Sequence, residues 1–121
     1  MAFYTYIVAT GRNGTLYTGS TDDLLKRIGE HRAKTFGGFT AKHGVDQLVW
    51  FQVFETREEA FRKERRIKKW NRVWKLGMIE AFNPDWRDLT DEFRLGGLKD
   101  AADWVPAFAG MNGNFEGPES D

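Results

Sequence analysis

Asn13-Gly14 stands between two short segments rich in β-branched and aromatic residues, FYTYIVAT (3–10) and TLYTGST (15–21). Asn-Gly favours the left-handed backbone conformations of a tight two-residue turn, so this pair is a strong hairpin signal. The chain is therefore expected to begin with two antiparallel strands, and the remaining elements must pack around them.

Helical periodicity follows the hairpin in DLLKRIGEHRAK (23–34), where Leu24, Ile28 and His31 recur on one side. The Ser, Thr and Asp residues at positions 20–22 offer N-caps for this helix. LVWFQVFE (48–55) is the clearest strand in the sequence.

Two further helices are predicted after this third strand. Thr56 and Glu59 form a capping box that opens a helix of about residues 57–70. After a break at Asn71, VWKLGMIEAF (73–82) predicts another. The order β-β-α-β-α-α predicts a small α+β sandwich, in which helices flank a three-stranded antiparallel sheet.

The end of the sequence differs in composition from the rest. Residues 95–121 contain one basic residue and five acids without sustained periodicity, so we expect a mostly disordered tail after a domain of residues 1–94. The absence of cysteine excludes disulfides and thiolate metal sites. Neither a signal peptide nor a membrane-spanning run is present, so a soluble cytoplasmic protein is expected.

Positive charge is concentrated in the second predicted helix and the residues after it. From Arg57 to Lys75 there are nine basic residues and three acids, a local net charge of +6. This indicates a partner-binding surface or, alternatively, an ordinary solvated helix face.

One acid of this basic helix is predicted to point inward. Ala60, Glu64 and Ile67 fall along one face, and the two apolar residues mark that face as the packed one. A buried, unpaired carboxylate costs several kcal/mol. Glu64 must therefore be paired with a nearby Arg or Lys, protonated, bound to a metal, or open to a cleft.

Four other polar residues have ordinary explanations when each is taken alone. Tyr6 and Tyr17 could be packing residues of strands, Arg27 a surface charge and His31 a capped or solvent-facing histidine. Read together with Glu64 they are more specific, because Tyr17 follows Tyr6 by eleven residues and Arg27 follows Tyr17 by ten.

This combination resembles the GIY-YIG nuclease domain. TYI (5–7) and YTG (17–19) are similar to the two strand motifs that name the family, and DDLLKRIGEH (22–31) is similar to the helix that carries its arginine. Two positions depart from the name, since Thr5 replaces the glycine and Thr18 replaces the second isoleucine.

The second half of the sequence extends the resemblance. REEAFRKERRIKKWNRVWK (57–75) and AFNPDWRDL (81–89) are similar to a branch of small, stand-alone bacterial GIY-YIG proteins, so that the resemblance covers residues 3–94.

The resemblance implies metal-dependent hydrolysis of phosphodiester bonds. Glu64 would hold one Mg²⁺ or Mn²⁺, with water and phosphate oxygens completing the shell. Tyr6 or Tyr17 would position or deprotonate the attacking water, with Tyr17 the better candidate for the base and Tyr6 supporting it. A phenol with pKa near 10 is a poor base at neutral pH, so nearby cations must favour its ionised form.

The resemblance also implies roles for the first helix and for a late asparagine. Arg27 would hold the scissile phosphate and stabilise charge in the transition state. His31, four residues later on the same helix face, would assist proton transfer. The family's asparagine maps to Asn83 or, alternatively, to Asn71. Gly19 would permit close approach at the strand end.

The expected partner is nucleic acid, most simply DNA, without a membrane or a small-molecule cofactor. No added recognition domain is visible, so selection of structures such as nicks, flaps or single strands is expected. The residues predicted to contact the phosphates are Lys42, Arg62, Lys63, Arg66 and Lys69.

Two alternatives stay open: a nucleic-acid-binding module with little catalysis, and a subunit that is active only with a partner protein. No P-loop, zinc-protease or serine-hydrolase motif occurs.

Overall fold

The computed structural model describes residues 2–33, 47–102 and 104. These residues contain the six predicted elements in the predicted order, followed by a short helix. The elements are β1 (Phe3–Ala9), β2 (Leu16–Thr21), α1 (Leu24–Ala33), β3 (Gln47–Phe54), α2 (Arg57–Lys69), α3 (Arg72–Phe82) and α4 (Thr90–Arg94). None of these helices has the length and apolar character needed to cross a membrane.

The three strands form one antiparallel sheet in the order β2-β1-β3. The strands are joined by residues 10–15 rather than by a two-residue Asn-Gly loop. Gly14 N–H donates to the carbonyl of Gly11 at 3.0 Å, and Asn13 within this turn has a left-handed φ of 58°. Thr10 N–H donates to the carbonyl of Thr15 at 3.1 Å to close the turn. The predicted hairpin is therefore confirmed, and β1 becomes the central strand.

Side chains alternate between the two faces of β1, and each face packs against its own helices. Ile7 lies in a core cluster with Ile67 of α2 and Met78 of α3. Tyr6 lies in a second cluster with Leu24 and Ile28 of α1. The α+β sandwich is thus confirmed, with α2 and α3 on one face and α1 on the other.

The break between α2 and α3 occurs at Asn71, as predicted. Its side-chain oxygen accepts the N–H of Trp74 at 2.9 Å and caps α3. Trp70 and Trp74 meet edge to face, with 5.7 Å between ring centroids. Both are buried in the core cluster of Ile7, so they pack the helices together.

The chain beyond Arg94 continues to contact the sheet. Ala101 is buried, and its N–H donates to the carbonyl of Phe51 at 2.9 Å. Asp100 accepts the N–H of Val53 at 2.7 Å. Trp104 packs beside Trp70, with 5.8 Å between ring centroids. The contacts of Asp100 and Ala101 line the outer edge of β3, and Trp104 packs at the end of α2, so described residues after position 94 pack against the sheet and its helices. Residues 103 and 105–121 of the predicted tail lie outside the described residues.

We expect Trp104→Ala to lower the free energy of unfolding by about 1–3 kcal/mol, somewhat less than for a fully buried tryptophan. Urea denaturation of the full chain measures the change. Leu95→Ala is the matched control, because Leu95 is largely exposed. Equal stability of the two variants would show that Trp104 does not contribute to the core.

Candidate active site

Tyr6 is fully buried in the middle of the sheet, and its ring lies over Gly19 of the neighbouring strand. A Cβ atom at Gly19 would be 2.6 Å from Tyr6 Oη and 2.8 Å from Cζ, closer than real contacts allow. Glycine is therefore required here by the approach of the tyrosine ring, rather than by the turn conformation that glycine often supplies.

Two residues of α1, one turn apart, converge on the hydroxyl of Tyr6. Arg27 Nε donates to Tyr6 Oη at 3.2 Å. His31 Nε2 lies 3.1 Å from the same oxygen. Arg27 can only donate, whereas the hydroxyl of Tyr6 can donate or accept, so the direction of its hydrogen bond with His31 is set by the tautomer of the imidazole. The structure thus places Tyr6, Arg27 and His31 in one hydrogen-bonded group.

Tyr17 joins this group through its ring. Its centroid lies 4.8 Å from that of His31 and 6.4 Å from that of Tyr6. Tyr17 is partly exposed, whereas Tyr6 is inaccessible to solvent. Of the two tyrosines, only Tyr17 therefore combines contact with His31 and access to water.

Burial raises the pKa of Tyr6 to about 12, although the hydrogen bond and positive charge of Arg27 oppose the rise. The charge of Glu64 adds a smaller contribution in the upward direction. Tyr6 consequently stays protonated at neutral pH, and its oxygen accepts the N–H of Arg27. The hydrogen bond to Tyr6, followed by that to Glu30, raises the pKa of Arg27, which stays charged.

Glu64 approaches from the opposite face of the sheet, beside the edge strand β2. Ser20 Oγ donates to Glu64 Oε1 at 2.6 Å. Lys68 Nζ lies 2.6 Å from Oε2, in an ion pair one helical turn along α2. Glu64 is only 9% exposed, and a buried carboxylate needs polar partners. Ser20 and Lys68 supply one for each of its two oxygens.

An open cleft of about 290 Å³ borders both groups. Its wall includes Arg27, which holds Tyr6, and Ser20, which holds Glu64. Arg57 closes it from α2. The two faces of the sheet therefore meet at the β2 edge, where a bound molecule could contact residues from both.

The residues at this edge fit a one-carboxylate metal site. Among residues 2–33, 47–102 and 104, no group of three His, Cys, Asp or Glu side chains could hold a metal ion. Mg²⁺ usually takes one or two carboxylates and keeps water in the other positions. Glu64 supplies such a carboxylate, and its partner Lys68 is half-exposed on a flexible side chain.

Both candidate asparagines make structural contacts. Asn83 Nδ2 donates to the carbonyls of Val49 and Arg87 at 3.2 and 2.9 Å, and Oδ1 accepts the N–H of Arg87 at 3.1 Å. These bonds tie the end of α3 to β3. Asn71 caps the start of α3. The structure brings neither residue into the hydrogen-bonded group around Tyr6.

The predicted phosphate-contacting residues of α2 mostly point away from Glu64. With 3.6 residues per turn, Arg62, Arg66 and Lys69 lie about 140–160° around the helix axis from Glu64. Arg62 pairs with Glu58 at 3.1 Å. Lys63 lies 5.8 Å from the centre of the Trp70 ring. Lys42 falls outside the described residues.

Sequence reasoning missed Ser20, Arg57 and Lys68 at the site. Strand alternation carried a signal for Ser20, because it pairs with Thr5 and so faces α2. The spacing of four residues from Glu64 carried one for Lys68. Arg57 offered no comparable signal, since its position depends on how α2 crosses the sheet.

The family model described as the GIY-YIG catalytic domain, whose members are nucleases, matches residues 2–77. The UPF0213 protein of Staphylococcus saprophyticus is 38% identical over 76 residues, which cover 63% of this chain and 92% of that protein. The UPF0213 protein of Haloquadratum walsbyi is 38% identical over 77 residues, covering 64% and 85%. The solution structure of a UPF0213 protein from Bacillus halodurans has 30% identity and a TM-score of 0.47, covering 75% of this chain and 96% of that one.

We expect Gly19→Ala to displace Tyr6, because the new methyl group would lie only 2.6 Å from its hydroxyl oxygen. The hydrogen bonds to Arg27 and His31 would be lost, and the free energy of unfolding would fall by about 1–3 kcal/mol. Urea denaturation measures the effect. Gly97→Ala is the control, since a Cβ there meets nothing within 4 Å. A Gly19→Ala protein as stable as this control would contradict the tight contact.

The raised pKa of Tyr6 predicts a specific loss of stability at alkaline pH. The folded state keeps the phenol proton up to about pH 12, whereas the unfolded chain releases it near pH 10. The free energy of unfolding should therefore be independent of Tyr6 below pH 10 and fall above it, by at most about 1.4 kcal/mol per pH unit.

This alkaline component is the difference between wild type and Tyr6→Phe in urea denaturation across that interval. Tyr4→Phe, on the same strand, should retain it. Parallel loss of stability in wild type and Tyr6→Phe would mean that the pKa of Tyr6 is not raised.

Proposed function

This chain belongs to the GIY-YIG catalytic-domain family, and we propose that it is a divalent-metal-dependent endonuclease that hydrolyses phosphodiester bonds in DNA. The observation that carries the proposal is the convergence of Arg27 and His31 on the buried hydroxyl of Tyr6. This group borders the same cleft as Ser20, the hydrogen-bond partner of Glu64.

Arg27 binds the scissile phosphate in this proposal. Its guanidinium lines the cleft and is partly exposed, while its Nε is fixed by Tyr6. The two terminal nitrogens of the guanidinium are therefore the ones available to a phosphate in the cleft. One of them, Nη1, lies 3.1 Å from Glu30 Oε1 in the structure. Charge-assisted bonds from a guanidinium to phosphate oxygens stabilise the charge that accumulates in the transition state.

Tyr17 takes the proton of the attacking water after its own phenol proton has passed to His31 or to solvent, and Tyr6 supports the site without acting as the base. Tyr6 is buried and holds its proton too tightly to accept another group's proton at neutral pH. Tyr17 is partly exposed and packs against His31. His31 lies against both phenols, so in this proposal its imidazole is placed to accept a phenol proton.

Glu64 is the residue that would hold Mg²⁺ or Mn²⁺. When bound, such an ion polarises the phosphate and stabilises charge on its oxygens. Lys68 forms an ion pair with this carboxylate. Because its side chain is long and flexible, its ammonium group could move from Glu64 to a phosphate of the bound substrate. Ser20 keeps the other carboxylate oxygen in place.

The substrate is selected by its structure more than by its base sequence. Contacts from guanidinium and ammonium groups to phosphates position a nucleic acid but do not read its bases. Such an activity suits DNA repair or recombination, where nicks, flaps and branches are processed.

Glu64→Gln should reduce cleavage by about a hundred-fold or more, because the variant keeps the shape of the side chain but loses the charge that holds the cation. The measurement is cleavage of supercoiled plasmid and of labelled branched or single-stranded DNA in Mg²⁺ or Mn²⁺. Glu58→Gln is the matched control, since Glu58 is an exposed acid on the same helix.

Cleavage that disappears with chelator and in Glu64→Gln, but persists in Glu58→Gln, supports the nuclease. Cleavage that is equal in all three proteins indicates a contaminant and counts against it. DNA binding without cleavage in any of them would favour a binding module, or a subunit that requires a protein partner.

A further inference from the structure

The side of α2 next to Glu64 carries an aromatic residue among cations. Arg57, Phe61, Arg65 and Lys68 follow one another at intervals of four, four and three residues, so they lie along one line of the helix surface. We call these four residues the Phe61 stripe. Lys68 pairs with Glu64 at 2.6 Å, which places the stripe directly beside the candidate metal ligand.

Phe61 differs in its surroundings from other exposed apolar residues. Half of its surface is exposed, and the Arg65 guanidinium carbon lies 5.7 Å from the centre of its ring. Single exposed apolar side chains are common and need no explanation. Val73, for example, is more exposed but has no aromatic face. Phe61 instead presents a flat ring that is flanked by positive charge.

The stripe leads into the cleft through Arg57. This arginine pairs with Asp22 at 3.1 Å and lies 5.0 Å from the centre of the Phe3 ring, so its position is fixed from two sides. It also lines the cleft to which Arg27 contributes. A polyanion lying along the stripe would therefore reach the residues proposed to hold the scissile phosphate.

We propose that Phe61 stacks on an unpaired base of a bound nucleic acid strand, while the cations of the stripe contact its phosphates. Alternating aromatic and basic side chains are how proteins hold single strands, since every base has a face that can stack. The bases of an intact duplex are already stacked on each other and offer no free face. The stripe thus selects unpaired nucleotides next to the cleavage site.

This inference rests on the proposed function, because it assumes nucleic acid beside Glu64, and the test separates the two. Binding is measured in the Glu64→Gln background, where cleavage does not interfere. The probes are a short fluorescein-labelled DNA strand and the same strand annealed to its complement, followed by fluorescence anisotropy.

Phe61→Ala should weaken binding of the single strand by about five-fold or more and leave duplex binding unchanged. Phe61→Trp should preserve single-strand binding, whereas Phe61→Leu, which keeps an apolar side chain without an aromatic face, should resemble alanine. Val73→Ala is the matched control for loss of an exposed apolar residue.

Salt dependence distinguishes stacking from charge. Arg65→Ala should lower the slope of log affinity against log salt for the single strand by about 0.7, the effect of one lost phosphate contact. Phe61→Ala should leave this slope unchanged, because a phenyl ring displaces no counterions.

Equal affinity of Phe61→Ala and the parent for the single strand, or an equal loss on single strand and duplex, would overturn the stacking role. The nuclease proposal would survive this result if wild type still cleaves. A Glu64→Gln protein and a wild type that bind neither probe would overturn both proposals together.

Discussion

The pairing of Tyr6 with Gly19 is the constraint on which the site depends. Because the neighbouring strand has no side chain at this point, the tyrosine ring can lie across it and deliver a hydroxyl to the side where α1 packs. Arg27 and His31 are then held at fixed distances by one buried oxygen. The positions of Arg27 and His31 around Tyr6 therefore depend on the register between β1 and β2. A slip of one residue would move Tyr6 to the other face of the sheet and break both contacts.

The sheet separates the two halves of the candidate site, and only its edge brings them together. Tyr6 faces α1, whereas Glu64 belongs to α2 on the opposite face. Ser20 lies in the edge strand and bonds Glu64, one residue after the glycine beneath Tyr6. Neighbouring residues of β2 thus face opposite sides of the sheet, as side chains of any strand alternate. At this edge, a ligand in the proposed site could reach both sides.

Local patterns in the sequence were sufficient for the fold but only partly for the site. The hairpin at Asn13-Gly14, the Thr56 cap and the inward spacing of Glu64 each have a short-range cause and are present, although the turn itself is longer than the predicted two residues. The packing of Ala101 and Trp104 could not be predicted, because it depends on single contacts with distant residues in a segment without periodicity. Charge counting located the basic helix, but the side on which a cation lies depends on helical phase relative to Glu64, as Lys68 and Arg62 illustrate.

The contact of residues 100–101 with β3 has a consequence for self-association. An open strand edge is a template on which another chain can add a strand, and proteins suppress this with covering segments or charged side chains. Here the chain itself covers the outer edge of β3. At the other end of the sheet, Arg27 and Arg57 border the cleft beside β2. The two edges of the sheet therefore differ in use: the chain's own residues cover β3, whereas β2 borders the cleft proposed to receive the ligand.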